Sequence, residues 1–142
     1  MTKNILFFIV ILVVSCQKKE NKEQSCSTEK KFEMYQMSEM AALMEQMYAH
    51  NDRVKQQIIN GDSIGKFPDY FNKIHSAKFT SESDNDDFFK EKAKNYIAAQ
   101  QLIYTDTINR KENFNKGVDA CIDCHNGKCG GPIPRIKKLY IK

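Results

Sequence analysis

Between Glu29 and Asn60 the chain carries neither glycine nor proline, and Met37, Met40, Met44, Met47, Val54 and Ile58 recur at steps of three, four or seven. Side chains return to one side of an α-helix about every 3.6 residues, so this spacing predicts a long amphipathic helix and excludes an alternating strand. Ser27 or Thr28 is placed to cap its start, Gly61 to end it in the left-handed conformation, and Asn51-Asp52 marks a kink. A second, shorter helix is expected from Pro68, with Tyr70, Phe71 and Ile74 on its apolar side and the polar run Thr80 to Asn85 closing it. The third starts after Asp84 or Asn85, where Asp86 and Asp87 complement the dipole, and sets Phe89, Ala93, Tyr96, Gln100, Ile103 and Tyr104 on one face. The fourth covers Arg110 to Asn126, with Phe114, Val118, Cys121, Ile122 and His125 on its apolar side and Gly127 as its stop. Gly130-Gly131-Pro132-Ile133-Pro134 cannot continue it, and the basic tail Arg135 to Lys142 offers Ile136, Leu139 and Ile141 for packing. No strand pair, repeat or low-complexity block is readable. The expected fold is all-α, an antiparallel four-helix bundle.

Composition says what such a bundle lacks. The 142 residues make one ordinary domain, and from Cys16 onward 47 of 127 residues are hydrophobic. That is a lean core, of the kind that a disulfide, a metal or a bulky apolar cofactor completes. The net charge of +4 comes from 22 basic and 18 acidic residues interspersed along the chain, with no clustered basic face, so nucleic acid is not an expected partner.

The first fifteen residues read as an address. Lys3 precedes ten apolar residues, Ile5 to Val14, too few to span a hydrocarbon core of ~30 Å and typical of an export signal. The sequence Val13-Val14-Ser15-Cys16 that follows resembles the lipobox of bacterial lipoproteins. The resemblance implies removal of residues 1–15, acylation of Cys16, and a protein held at the cell envelope outside the cytoplasm by its lipid anchor. Residues 16–28 contain no aromatic or aliphatic side chain and read as a tether, which leaves residues 29–142 as the folded domain.

One segment carries chemistry. Cys121-Ile122-Asp123-Cys124-His125 has the C-x-x-C-H spacing of c-type haem attachment, in which two thiols add across the haem vinyl groups and the adjacent imidazole reaches the iron. Such attachment takes place outside the cytoplasm, in agreement with the export signal. Two blander readings compete. A redox dithiol would want a strand and helix crossover around the C-x-x-C, and none is readable. A zinc site from Cys121, Cys124, His125 and Cys129 would lie within one short segment, unlike the usual two-pair spacing.

A helical bundle whose last helix carries C-x-x-C-H resembles the class II cytochromes c, the cytochrome c-prime family, over about Glu29 to Asn126. The resemblance implies one haem c, with Cys121 and Cys124 as thioether residues and His125 as the proximal ligand. It also implies electron transfer with a redox partner protein, or gas binding if the distal position is open, and no catalysed reaction. The segment from Cys129 to the C-terminus departs from the family, which usually ends soon after the motif.

The sixth coordination position decides between those two roles. In an up-and-down bundle His125 lies opposite the early part of the first helix, which favours Met37 and Met40 over Met44 and Met47. By the family resemblance the distal residue sits about three turns into the first helix, which points to Met40, with Met37 as its alternative. His50 and His75 are further candidates, though partly exposed helix positions suit them better. With Cys16 given to lipid and Cys121 and Cys124 to haem, Cys26 and Cys129 remain as one possible disulfide in an oxidising compartment. The competing function is a haem-free structural or binding lipoprotein whose cysteines form disulfides or hold zinc. No Ser-His-Asp set, carboxylate pair, phosphate loop or nucleotide fingerprint supports an enzyme.

Overall fold

The computed structural model describes residues 36–142, which lie in the second of the two compact units of the chain, Tyr35–Lys142. The export signal, Cys16, Cys26 and the expected caps Ser27 and Thr28 lie outside the described residues. Among the described residues the fold is all-α, with no strand and with no helix long and apolar enough to cross a membrane.

Three long helices carry the architecture: α1 Glu39–Asn60, α2 Asp87–Thr105 and α3 Arg110–Lys128. The expected helix from Glu29 is corrected at its start. Residues 36–38 are not helical, and α1 begins where the Ser38 hydroxyl accepts from the Ala41 N–H at 3.2 Å. Met37 therefore precedes the helix and is exposed, whereas Met40, Leu43, Met47 and Val54 form its buried stripe. The helix runs unbroken through Asn51-Asp52, where the sequence predicts a kink, and Asn51 is buried on that stripe and gives its side-chain N–H to the Tyr96 hydroxyl at 3.2 Å. At the far end Gly61 has φ 76°, and the Asp62 and Gly61 N–H groups bond back to Gln57 and Ile58, closing the helix in the left-handed turn the sequence predicts.

The second expected helix is a seven-residue 3-10 segment, Asp69–His75. Three residues per turn bring Phe71 and Ile74 to the same side, and both are buried there. The Phe71 ring is fully enclosed, with the Tyr70 ring at 5.0 Å, His50 at 5.2 Å, Phe67 at 5.8 Å and Tyr96 stacked at 6.1 Å. Aromatic packing, rather than helix propensity, sets this stretch.

Helices α2 and α3 form an antiparallel hairpin. Arg110 meets Ile103 beside the connection, Gly117 lies against Gln100 midway, and Gly127 lies against the Phe88 ring at the far end. The cap of α2 is Asp86, one residue later than expected, whose carboxylate accepts from Phe89 N–H at 2.9 Å and from the Lys128 ammonium at 2.5 Å. Gly127 does not stop α3, which continues to Lys128. Its missing side chain instead makes room for Phe88, since a Cβ there would collide with the ring.

The connection between α2 and α3 is organised by Asp106. Its carboxylate accepts from the Ile108 and Asn109 amides at 3.1 Å each and from the Asn109 and Asn113 side chains at 3.0 and 3.1 Å, which holds its pKa down at about 2. The Asp86 carboxyl is also held below its usual range, first by the Lys128 hydrogen bond. Because the folded-state value of Asp106 lies below the unfolded one, its stabilisation is complete above ~4 and is lost as pH falls through about 2, and Asp86 acts in the same direction. An NMR titration of the side-chain carboxyl carbons should place the Asp106 midpoint near 2, and an ordinary aspartate midpoint would show that the network does not form in solution.

The apolar interior has two parts. One contains Met40, Leu43, Met47, Phe71, Ile74, Phe89, Ala93, Tyr96 and Ile97. The other contains Val54, Ile64, Ile103, Phe114 and Val118, closed by Ile136, Leu139 and Ile141 from the tail. The tail folds as a short helix α4, Ile133–Ile136, and a 3-10 turn, Lys137–Leu139. Side chains of the long helices fasten it: Arg135 pairs with both Glu45 oxygens at 2.7 and 2.8 Å and covers the Tyr48 ring, while Asn115 exchanges two hydrogen bonds with the Ile141 backbone. Tyr140 donates its hydroxyl proton to Asp119. Cys121 packs against both parts of the interior.

Candidate functional site

The last two turns of α3 present the C-x-x-C-H sequence. Cys121, Cys124 and His125 fall at i, i+3 and i+4 and therefore share one side of the helix. Burial pushes the Cys121 thiol up to about 12, with the neighbouring Cys124 adding to the shift. Cys124 is raised too, by burial and then by Cys129. Neither sulfur is held as the thiolate that thiol-disulfide exchange requires, so the environment is the reverse of a redox dithiol's.

Cys124 and His125 line a cleft of about 190 Å³ together with Met40, Met44, Phe79 and Phe89. Its wall is chiefly apolar, and Lys128 and Asp84 stand among its polar lining residues. The structure thus brings Met40 to the same cleft as His125, from opposite sides of the domain's sequence. Met40 sits in the first turn of α1 rather than three turns in, because α1 begins at Glu39. Met37 does not line the cleft and is 53% exposed. Of the two histidines considered as ligands, His50 bonds the Tyr104 hydroxyl at 2.9 Å in the aromatic cluster and His75 is exposed, and neither lines the cleft.

Cys129 caps the C-terminus of α3 as a free thiol. Its Sγ and its carbonyl oxygen both lie 3.1 Å from His125 Nδ1. The proposed disulfide partner, Cys26, lies outside the described residues. Among the described residues no three His, Cys, Asp or Glu side chains are grouped so as to hold a metal ion, so Cys121, Cys124, His125 and Cys129 do not form a zinc cage here.

By residue type the set suits a haem, with paired thiols one turn apart and an imidazole next to the second, but only Cys124, His125 and Met40 line the cleft, and Cys121 packs against the interior instead. At about 190 Å³ the cleft is smaller than the ~300–1,000 Å³ of pockets that enclose most of a ligand, and it does not enclose a macrocycle as it stands. Sequence reasoning did not reach Met44, Phe79 and Phe89 as cleft walls. Phe89 was legible as a core position, but Phe79 lies in a stretch without periodicity. No family model, curated protein or solved structure matches the chain.

Proposed function

We propose that this chain is a monohaem c-type cytochrome of the class II kind, an all-α bundle with its attachment motif in the last long helix. In this reading Cys121 and Cys124 form the thioether links, His125 is the proximal ligand, and acylated Cys16 holds the protein to a bacterial membrane outside the cytoplasm. The observation that carries the reading is the convergence of Cys124, His125 and Met40 on one apolar cleft, with Cys121 a turn away on the same helix.

The haem, when bound, supplies a one-electron couple. Phe79, Phe89 and Met44 wall the cleft and would exclude water from the part of the group they cover, and Met40 would offer a thioether sulfur of the kind that raises cytochrome potentials. Were His125 and Met40 both to hold the group, the site would suit electron transfer to a partner protein; were Met40 not to, it would be open and suited to gas binding.

Staining for haem after denaturing electrophoresis tests the reading, since only covalently attached haem survives it. Full-length protein exported from cells that attach haem to C-x-x-C-H proteins should stain, and an unstained, correctly exported protein would return the chain to the haem-free lipoproteins. In stained protein, Met40→Ala should replace the low-spin absorption spectrum of a six-coordinate haem with that of an open site. An unchanged spectrum would remove Met40 from the coordination sphere.

A further inference from the structure

Asn51 and Gln100 interrupt the apolar stripes of their helices at equivalent steps. On α1 Asn51 lies four residues after Met47 and three before Val54, and on α2 Gln100 lies four residues after Tyr96 and three before Ile103. Met47 and Tyr96 belong to one part of the apolar interior, Val54 and Ile103 to the other, so the two amides occupy the level at which the interior divides. Both are enclosed there, Asn51 at 3% exposure and Gln100 at 1%. Gly117 of α3 adjoins the same level, since a Cβ on it would stand 2.9 Å from Gln100 Nε2.

The hydrogen bonds of this polar layer do not close among the described residues. Asn51 gives its side-chain N–H to the Tyr96 hydroxyl oxygen at 3.2 Å, which leaves the Tyr96 hydroxyl proton to be given elsewhere. No donor reaches Asn51 Oδ1 or Gln100 Oε1. Turning the Asn51 amide over would only exchange which of its two ends is left over. A buried amide oxygen without a donor is costly, and folded interiors pair nearly all such groups, with protein or with water.

We propose that this layer is a binding site for one internal water molecule, shared by Asn51, Gln100 and Tyr96. A water carries two protons and two lone pairs. The protons go to Asn51 Oδ1 and Gln100 Oε1, and one lone pair receives the Tyr96 hydroxyl proton, which makes the about three hydrogen bonds typical of a buried water. An apolar guest would leave both oxygens bare. The water ties α1 to α2 at the junction of the two apolar parts, where side chains without direction would let the helices slide, and so fixes their register. None of the three residues lines the cleft, and the site does not depend on the haem reading.

A crystal structure of the full-length chain is the direct test. One ordered water should lie within about 3.2 Å of Asn51 Oδ1, Gln100 Oε1 and the Tyr96 hydroxyl. Amides bonded to protein groups with no water between them, or served by two separate waters, overturn the proposal. Urea unfolding of the same chain gives a second reading. Gln100→Met keeps the length of the side chain and removes its polar atoms. With the water in place the variant strips it of a partner, and the unfolding midpoint falls. If Gln100 Oε1 is bare in the wild type, the variant relieves an orphaned oxygen and the midpoint stays or rises, which overturns the proposal. Because the water joins the two amides, Gln100→Met should lower the midpoint less in an Asn51→Leu background than in the wild type. Equal falls in the two backgrounds would mean that nothing connects them, and the shared site would be lost.

Discussion

Replacing Cys121 and Cys124 together with alanine is expected to abolish covalent haem, leaving the exported chain at its apoprotein mass. Each thioether needs its own sulfur, and the other free thiol among the described residues, Cys129, is engaged with His125 Nδ1. The single variants should retain one link and part of the stain. His125→Ala should behave differently, keeping both links while losing the proximal nitrogen, so mass is preserved and the spectrum changes. Covalent haem persisting in the double alanine variant would sink the assignment of these cysteines. The double variant also removes two buried sulfurs from the interior, so its mass should be read beside a circular dichroism spectrum that establishes helix content.

The second large effect concerns stability. Deleting Pro132–Lys142 removes Ile136, Leu139 and Ile141, each at most 7% exposed, from the part of the interior built on Val54, Ile103, Phe114 and Val118. Fully burying an aliphatic side chain contributes ~1.5–3 kcal/mol, so the three together supply roughly 5–9 kcal/mol, comparable with the whole stability of a small domain. The truncated chain should therefore show no cooperative urea transition. Leu139→Ala, which leaves the strap in place, should cost about 2–5 kcal/mol and keep the transition. A truncated chain that unfolds with the wild-type midpoint would mean that the tail is an ornament of the domain rather than part of its core.

The sequence was most legible where burial alone decides the conformation. Phe89, Ala93, Tyr96, Gln100 and Ile103 sit on the buried side of α2 as their spacing requires, and Phe114 and Val118 do the same on α3. It was least legible where two local preferences compete. Ser38 is as good a cap as Ser27, and nothing in the periodicity of the methionines shows that a helix begins there. Gly127 looks like a stop in one dimension, but its value is the space it leaves for a ring from another helix. The segment Asp69–His75 has too few apolar residues to discriminate periods of three and 3.6, and the rings around Phe71 settle the matter through contacts distant in sequence. At the candidate site the motif and Met40 could be read in advance, whereas Phe79 could not, because its place against Phe89 depends on how the chain crosses between helices.

Cys121 touches the interior on both sides, the cleft-bearing part and the part closed by the tail. A bond made at that sulfur is therefore a joint between two halves of one structure. Whatever immobilises it reduces the freedom of both, so a bond made at Cys121 should be felt at the distant C-terminus as slower amide exchange around Leu139 and Ile141. The two ends of the domain would then melt together, and any group bonded at Cys121 would act as a rivet through the whole body rather than as a guest in one corner of it.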